Sequence, residues 1–414
     1  MRKQILAVGA ILFSTALYIM GNGLIGVLIP VRAHMEGFSN LALGVIGSFY
    51  FAGFVLGCFA GPRLLARVGH SRTFGIGAGL SAATILLQSM FVSVPLWIVL
   101  RGGFGVAAAC IYMVIESWLN DRATNENRGR IFSAYLTVNF SAIIVGQMLF
   151  GTARPQSFTL FSLAAVFYAL CLIPMGLTRL PQPHAAAVPV LRPRWLYRLS
   201  PVGVMGCIAV GFANSAIWSL SPVYAQAHGL NKGWIAVFMS VFTLGGALVQ
   251  LPLGRISDRM DRRIIIAFVC VMAAALGVAL GAFGGAHRWL ILPLIGCFGL
   301  MALPLYGLSV AHANDRIARD EFVETSATLL MINAMASVGG PTIAALVMNR
   351  FGTSALFFYT AAIHAAMAGF AILRITLKDA APLSGRESYE AVPPQGTPGE
   401  AELDPRGADR IRAA

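Results

Sequence analysis

The stretch Leu253–Arg263, "LGRISDRMDRR", is out of keeping with the chain that carries it. Asp, Glu, Lys and Arg make up 11% of the 414 residues, yet Arg255, Asp258, Arg259, Asp261, Arg262 and Arg263 crowd into these few positions. Long apolar segments with almost no charge run on either side. Charge is costly in hydrocarbon and gathers at its edge, so the cluster reads as a junction between two membrane spans.

Composition supports that reading. The chain is 57% hydrophobic with a mean hydropathy of +0.74, far outside the range of soluble domains. A bilayer core about 30 Å thick needs roughly 20 apolar residues per helix. By that measure the chain divides into twelve spans: 5–31, 40–62, 72–94, 96–119, 130–152, 157–179, 199–227, 231–254, 263–284, 288–313, 322–347 and 353–377. The expected fold is an all-α membrane protein. The first span is too long and too interrupted by Gly and Asn for a cleaved signal peptide, so it is expected to stay in the mature chain.

The net charge of +13 follows from topology. If the N-terminus and every second loop share one side, most Lys and Arg residues fall there. The opposite loops hold only Arg32, Arg154, Lys232, Arg288 and Arg350. The positive-inside rule then places both termini in the cytoplasm. Contact with anionic lipid follows from this basicity, and no nucleic-acid partner is expected.

The six cysteines (58, 110, 171, 207, 270, 297) lie in apolar spans without CxxC spacing and read as packing residues. Loops are too short to hide a soluble catalytic domain. No nucleophile–base set, metal cluster or Walker loop can be assembled, so neither enzyme activity nor a cofactor is expected and ATP is not the energy source. The segment Arg179–Leu199, "RLPQPHAAAVPVLRPRWLYRL", divides the chain near its middle. The expected organisation is a six-helix bundle over 1–180, a cytoplasmic linker over 181–198 and a second bundle over 199–378. A Pro/Gly/charge-rich tail over 379–414 is expected to be disordered.

The chain is also written twice. At an offset of 192, Asn22 falls on Asn214, Pro30 on Pro222, Gly37 on Gly229, Gly53 on Gly245 and Arg67 on Arg259. Further on the offset becomes 194: Asn120–Arg122 falls on Asn314–Arg316, Asn139 on Asn333 and Gly146 on Gly340. Two apolar sequences resemble each other easily, but repeated polar matches in one register do not arise so. Two similar halves can hold a polar cavity at their interface that opens alternately to each side.

Under the repeat, Leu253–Arg263 has a degenerate twin, "PRLLARVGHSR" (Pro62–Arg72). The later copy reads Gly254-x-x-x-Asp258-Arg259-x-x-Arg262-Arg263 and resembles the GxxxDRxGRR loop of the major facilitator superfamily. That family places the loop between the second and third helices of each half, where both copies sit. The resemblance covers residues 1–378 and implies a secondary transporter of two pseudo-symmetric six-helix bundles. It implies a cytoplasmic gate in which Asp258 faces the start of the fifth span near Arg130 and Arg259 pairs with Asp315. The first copy departs from the pattern, with Pro62 for the Gly and Ala66 for the Asp; Arg67 remains and is expected to pair with Asp121. The alternative is that these arginines are positive-inside anchors only.

Charges inside spans are site candidates by default. The fourth span holds Arg101 and Glu116. Arg101, Gly105, Ala108, Tyr112 and Glu116 fall in one sector of a helix. Leu100–Ala109 resembles the RxxxGxxxA-type segment of proton-coupled facilitators, which implies proton coupling through Arg101, with Glu116 as a carrier. The alternatives are a snorkelling Arg101 and a structural Glu116. The family lines its cavity with the first, fourth, seventh and tenth spans, so Asn22, Tyr112, Asn214, Trp218 and Tyr306 are the expected cavity residues. Asn139 and Asn333 are expected to bind helices together, and Glu324, His312 and His364 to be structural.

The fifth span lacks the GP-containing stretch of the superfamily's exporters, with Gln147 where the proline would be, which weakens the case for antiport. "IESWLNDRATNENRGR" (Ile115–Arg130) resembles a branch of bacterial facilitators whose substrates are mostly unassigned. The expected function is proton-coupled efflux of a small, partly apolar or cationic molecule across the bacterial inner membrane by a monomer. Two alternatives stand: a proton-coupled importer of a small metabolite, which several charged cavity residues would favour, and a membrane assembly factor with this fold but no transport.

Overall fold

Among the described residues, twelve helices are long and apolar enough to cross a membrane: α1 (Val8–Met35), α2 (Asn40–Val68), α3 (His70–Met90), α4 (Val94–Arg122), α5 (Arg128–Thr152), α6 (Phe158–Leu177), α7 (Pro201–Ala227), α8 (Lys232–Arg259), α9 (Arg262–Phe283), α10 (Trp289–Asn314), α11 (Phe322–Phe351) and α12 (Ala355–Leu377). They come from a computed structural model that describes residues 2–124, 126–177, 183, 191–285, 288–317, 321–377, 389, 391, 393 and 396–398. Half of the expected linker and most of the expected disordered tail lie outside the described residues; the described part of the linker includes a short helix, Pro193–Leu199. The end of the bundle at which α1 begins is called the N-terminal face below.

The spans match the sequence reading closely, but several helices run past their apolar stretch. α2 continues to Val68, α4 to Arg122 and α8 to Arg259. Gly254–Arg259 is therefore helix, and only Met260 and Asp261 connect α8 to α9. Hydropathy counts residues that suit lipid, whereas the backbone stays helical as long as nothing breaks its hydrogen bonds. Asp261 then caps α9, accepting from the Arg263 N–H at 3.0 Å. Burial pushes the Asp261 carboxyl up, but hydrogen bonds from the Arg263 backbone and guanidinium outweigh this and hold it below its ordinary range.

The repeat seen in the sequence recurs in the geometry. Ser39 caps α2 by accepting from the Ala42 N–H at 3.2 Å, and Asn231, 192 residues on, caps α8 by accepting from the Trp234 N–H at 3.1 Å. Each cap follows a glycine in the left-handed region, Gly37 (φ 79°) and Gly229 (φ 80°). Gly53 of α2 sits against the Gly102 carbonyl of α4, as Gly245 of α8 sits against the Gly296 carbonyl of α10. Gly146 meets the Met20 carbonyl and Gly340 the Phe212 carbonyl. A methyl group at these positions would strike backbone, so small residues set how closely paired helices approach.

The halves join through α2 with α11, α5 with α8 and α1 with α7. Ser48 Oγ lies 2.7 Å from Thr342 Oγ1 and accepts from the Thr342 N–H at 3.2 Å. Gln147 Nε2 donates to Thr243 Oγ1 at 3.1 Å. These contacts lie towards the face opposite the N-terminal one.

At the N-terminal face, the charged cluster closes on itself within the second half. Arg262 is buried; its Nε donates to Asp315 Oδ2 at 2.8 Å, and its Nη1 lies 2.9 Å from both Asp258 Oδ1 and Ser257 Oγ. Arg263 pairs with Asp261 and donates to the Arg374 carbonyl at 2.9 Å. The expected Arg259–Asp315 pair is thus replaced by Arg262–Asp315. Arg259 ends α8 on its exposed side, while Arg262 opens α9 pointing inward. Arg67 is likewise exposed, and Asp121 pairs with its neighbour Arg122 at 3.2 Å, so the expected Arg67–Asp121 pair is not made.

Candidate functional site

Two cavities lie along the seam between the halves, each about 100 Å³ measured to the centres of water-sized spheres, room for several waters. One, the Asn22 cavity, runs towards the face opposite the N-terminal one. Asn22, Arg101, Phe104, Tyr112, Ile143 and Gln147 are among its walls. The other, the Asn214 cavity, runs towards the N-terminal face, with Asn214, Gln250, Tyr306, Asn333 and Ser337 among its walls. Tyr50, Phe51 and Trp218 belong to both. An aromatic layer at mid-membrane thus divides one seam into two chambers.

All five expected cavity residues line these chambers. Asn22 is held from two sides: its Nδ2 donates to Tyr112 Oη at 3.3 Å, and its Oδ1 accepts from Tyr168 Oη at 3.0 Å. Asn214 Nδ2 reaches the Ala302 carbonyl at 3.4 Å. That carbonyl is next to a break in α10, where Leu303 and Pro304 interrupt the helix; proline has no N–H and clashes with the preceding turn. The break puts Leu303, Tyr306 and Gly307 on the Asn214 cavity wall.

Asn139 donates to the Tyr135 carbonyl at 2.9 Å, one turn back in its own helix, so this bond does not join two helices as expected. Asn333 is not interhelical glue either: it lines the Asn214 cavity and its Oδ1 has no hydrogen-bond partner. Tyr50, Phe51, Tyr168 and Gln250 were not singled out from sequence. Aromatic residues on helices that are apolar all round carry no periodicity that marks the cavity side.

Among the described residues, Arg101 is the one charged side chain on either cavity wall. Its Cζ lies 4.8 Å from the Tyr50 ring centroid and 5.2 Å from that of Phe104. Its Nε and Nη1 are buried without a hydrogen-bond partner. A guanidinium inside a span is costly, by about 2.5–3.5 kcal/mol at the helix centre and less towards its end, and ring contacts return roughly 0.5–2 kcal/mol. The site therefore keeps an unbalanced positive charge.

Glu116, fifteen residues further along α4 and so about 22 Å away by helical rise, is fully buried near the N-terminal face. It accepts from Tyr135 Oη at 3.4 Å and from the Thr397 N–H at 3.1 Å, and the Thr397 hydroxyl donates to it as well. Thr397 belongs to the C-terminal tail. Tyr389, also in the tail, donates its backbone N–H to Asp258 at 3.0 Å and packs on Gly254 and Gly307. Pro393 and Gly396 line the Asn214 cavity. Described tail residues thus touch the first half at Glu116 and the second at Asp258, across the mouth of the seam. A cysteine at Ser337 is expected to react several-fold faster with an impermeant maleimide applied at the N-terminal face once residues 379–414 are deleted. Equal labelling rates would mean that the tail leaves the mouth open.

A sequence profile of the Major Facilitator Superfamily matches residues 11–320 and 233–406. The chain is 24% identical over 365 residues to an uncharacterised MFS-type transporter of Yersinia enterocolitica, covering 87% of this chain and 92% of that one. It is 26% identical over 365 residues to another from Enterobacter, with the same coverage. Among solved structures, it resembles a mutant of the nucleoside transporter NupG with a TM-score of 0.74 at 11% identity, covering 90% of this chain and all of the other. It resembles the D-xylose-proton symporter with a TM-score of 0.65 at 15% identity, covering 92% and 98%. At these identities the structural likenesses establish the fold alone.

Proposed function

The chain belongs to the Major Facilitator Superfamily, and from that premise we propose that it is a proton-coupled secondary transporter of a small, partly apolar molecule, working by alternating access. The carrying observation is the pair of chambers along the seam of two repeated halves, separated by Tyr50, Phe51 and Trp218. The N-terminal face, rich in Lys and Arg, is the cytoplasmic one of a bacterial inner membrane. Contacts between the halves cluster towards the other face, as in a form open to the cytoplasm once the tail leaves. Asp258 is then free of the first half, and its contact with the start of α5 belongs to the state closed on the cytoplasmic side.

Glu116 is the proton carrier in this reading, and efflux is the leading direction. A permanently cationic substrate is disfavoured, because Arg101 is the sole charge on the cavity walls among the described residues. The test is flux in proteoliposomes under an imposed pH gradient, screened with a panel of dyes and metabolites. Substrate-dependent proton movement is the expected result; proton leak indifferent to every compound would overturn the reading.

A further inference from the structure

The geometry points to Arg101 as the anchor of a binding subsite for a carboxylate on a partly apolar molecule. This rests on the transporter reading and narrows it to a substrate class. Arg101 enters the wall of the Asn22 cavity with Nε and Nη1 unsatisfied. No Asp or Glu stands among the described lining residues of either cavity, and Glu116 is about 22 Å away by helical rise, too far to pair. Ring faces neutralise part of the charge, but they offer no lone pairs in the plane of the guanidinium fork. That fork donates only, and a carboxylate fills it with two parallel hydrogen bonds.

Around Arg101 and along the cavity beyond it the lining is apolar and aromatic, with Ile46, Phe51, Ile143, Trp218 and Met239. Such a wall suits an aryl or alkyl body better than a fully hydrated inorganic anion.

The experiment uses the purified full chain in detergent at pH 7 and three probes of one shape: benzoate, benzamide and benzylammonium. Binding is read by the rise in thermal midpoint and by tryptophan quenching that Trp218→Phe removes. Benzoate is expected to bind about 10-fold or more tightly than benzamide, as for a charge-assisted pair, and benzylammonium not to bind. Arg101→Gln should erase the preference, while Arg101→Lys should retain part of it. The preference of the parent chain for benzoate over both benzamide and benzylammonium is read without any substitution, and so serves if the arginine variants fail to fold. Equal affinity for benzoate and benzamide, a preference that survives Arg101→Gln, or chloride competing as well as benzoate would each overturn the proposal. None of these readouts needs a gradient. Benzoate binding without coupled flux for any compound would sink the transport reading and leave the subsite standing, whereas coupled flux with no benzoate preference would do the reverse.

Discussion

Exchange of Glu116 for glutamine is expected to reduce gradient-driven transport to background while leaving substrate-for-substrate exchange within about two- to three-fold of the parent. The argument begins with burial. Glu116 is fully enclosed, whereas the other described carboxylates lie at helix ends or in the loops between helices, and a carboxylate inside a membrane span marks a functional role by default. Its hydrogen bonds come from Tyr135 and Thr397, and a glutamine carbonyl can accept from both, so the variant keeps its shape and packing. What it loses is the capacity to take up and release a proton. Exchange needs only the rocking of the halves around a loaded cavity, whereas accumulation needs the proton. The pair of assays in one proteoliposome preparation separates a carrier from a structural carboxylate. Loss of both activities in a well-folded variant, or survival of both, would remove Glu116 from the coupling path.

The sequence showed the spans and the doubling because each rests on local chemistry. A 20-residue apolar run has one reading in a bilayer, and matches such as Asn22 with Asn214 and Pro30 with Pro222 stand in one register. The ion pairs were less legible. Arg259 and Arg262 both follow Asp258 in the motif, and only the direction of each helix end decides which of them turns inward. Arg262 lies at the first turn of α9, against Asp315 at the end of α10; Arg259 ends α8 at the surface. For the site, Asn22 and Asn214 stood out because an amide in lipid needs a reason, while Tyr50 and Phe51 looked like any other apolar position. The contact of Thr397 with Glu116 spans 281 positions, and nothing in the tail's composition announces it.

The contrast between those two arginines gives the largest expected effect on stability. Arg262→Ala should destabilise the protein by about 3–5 kcal/mol, because it leaves the enclosed Asp315 without the guanidinium that faces it at 2.8 Å. Arg259→Ala, at an exposed position, should change stability by no more than about 0.5 kcal/mol. The cost in the first case comes from taking the guanidinium away from a buried carboxylate rather than from losing an attraction. Two substitutions separate these contributions: Arg262→Met keeps the volume and still removes that guanidinium, whereas Arg262→Met with Asp315→Leu removes both charges and should recover most of the loss. Thermal unfolding of the four variants in one detergent supplies the comparison. Should Arg259→Ala prove the costlier change, the cluster would be held together as the motif alone suggests, with Arg259 on Asp315. Should the double replacement stay as unstable as the single, Arg262 would act through its contacts with Asp258 and Ser257, and the buried pair would not be what fixes α9 against α10.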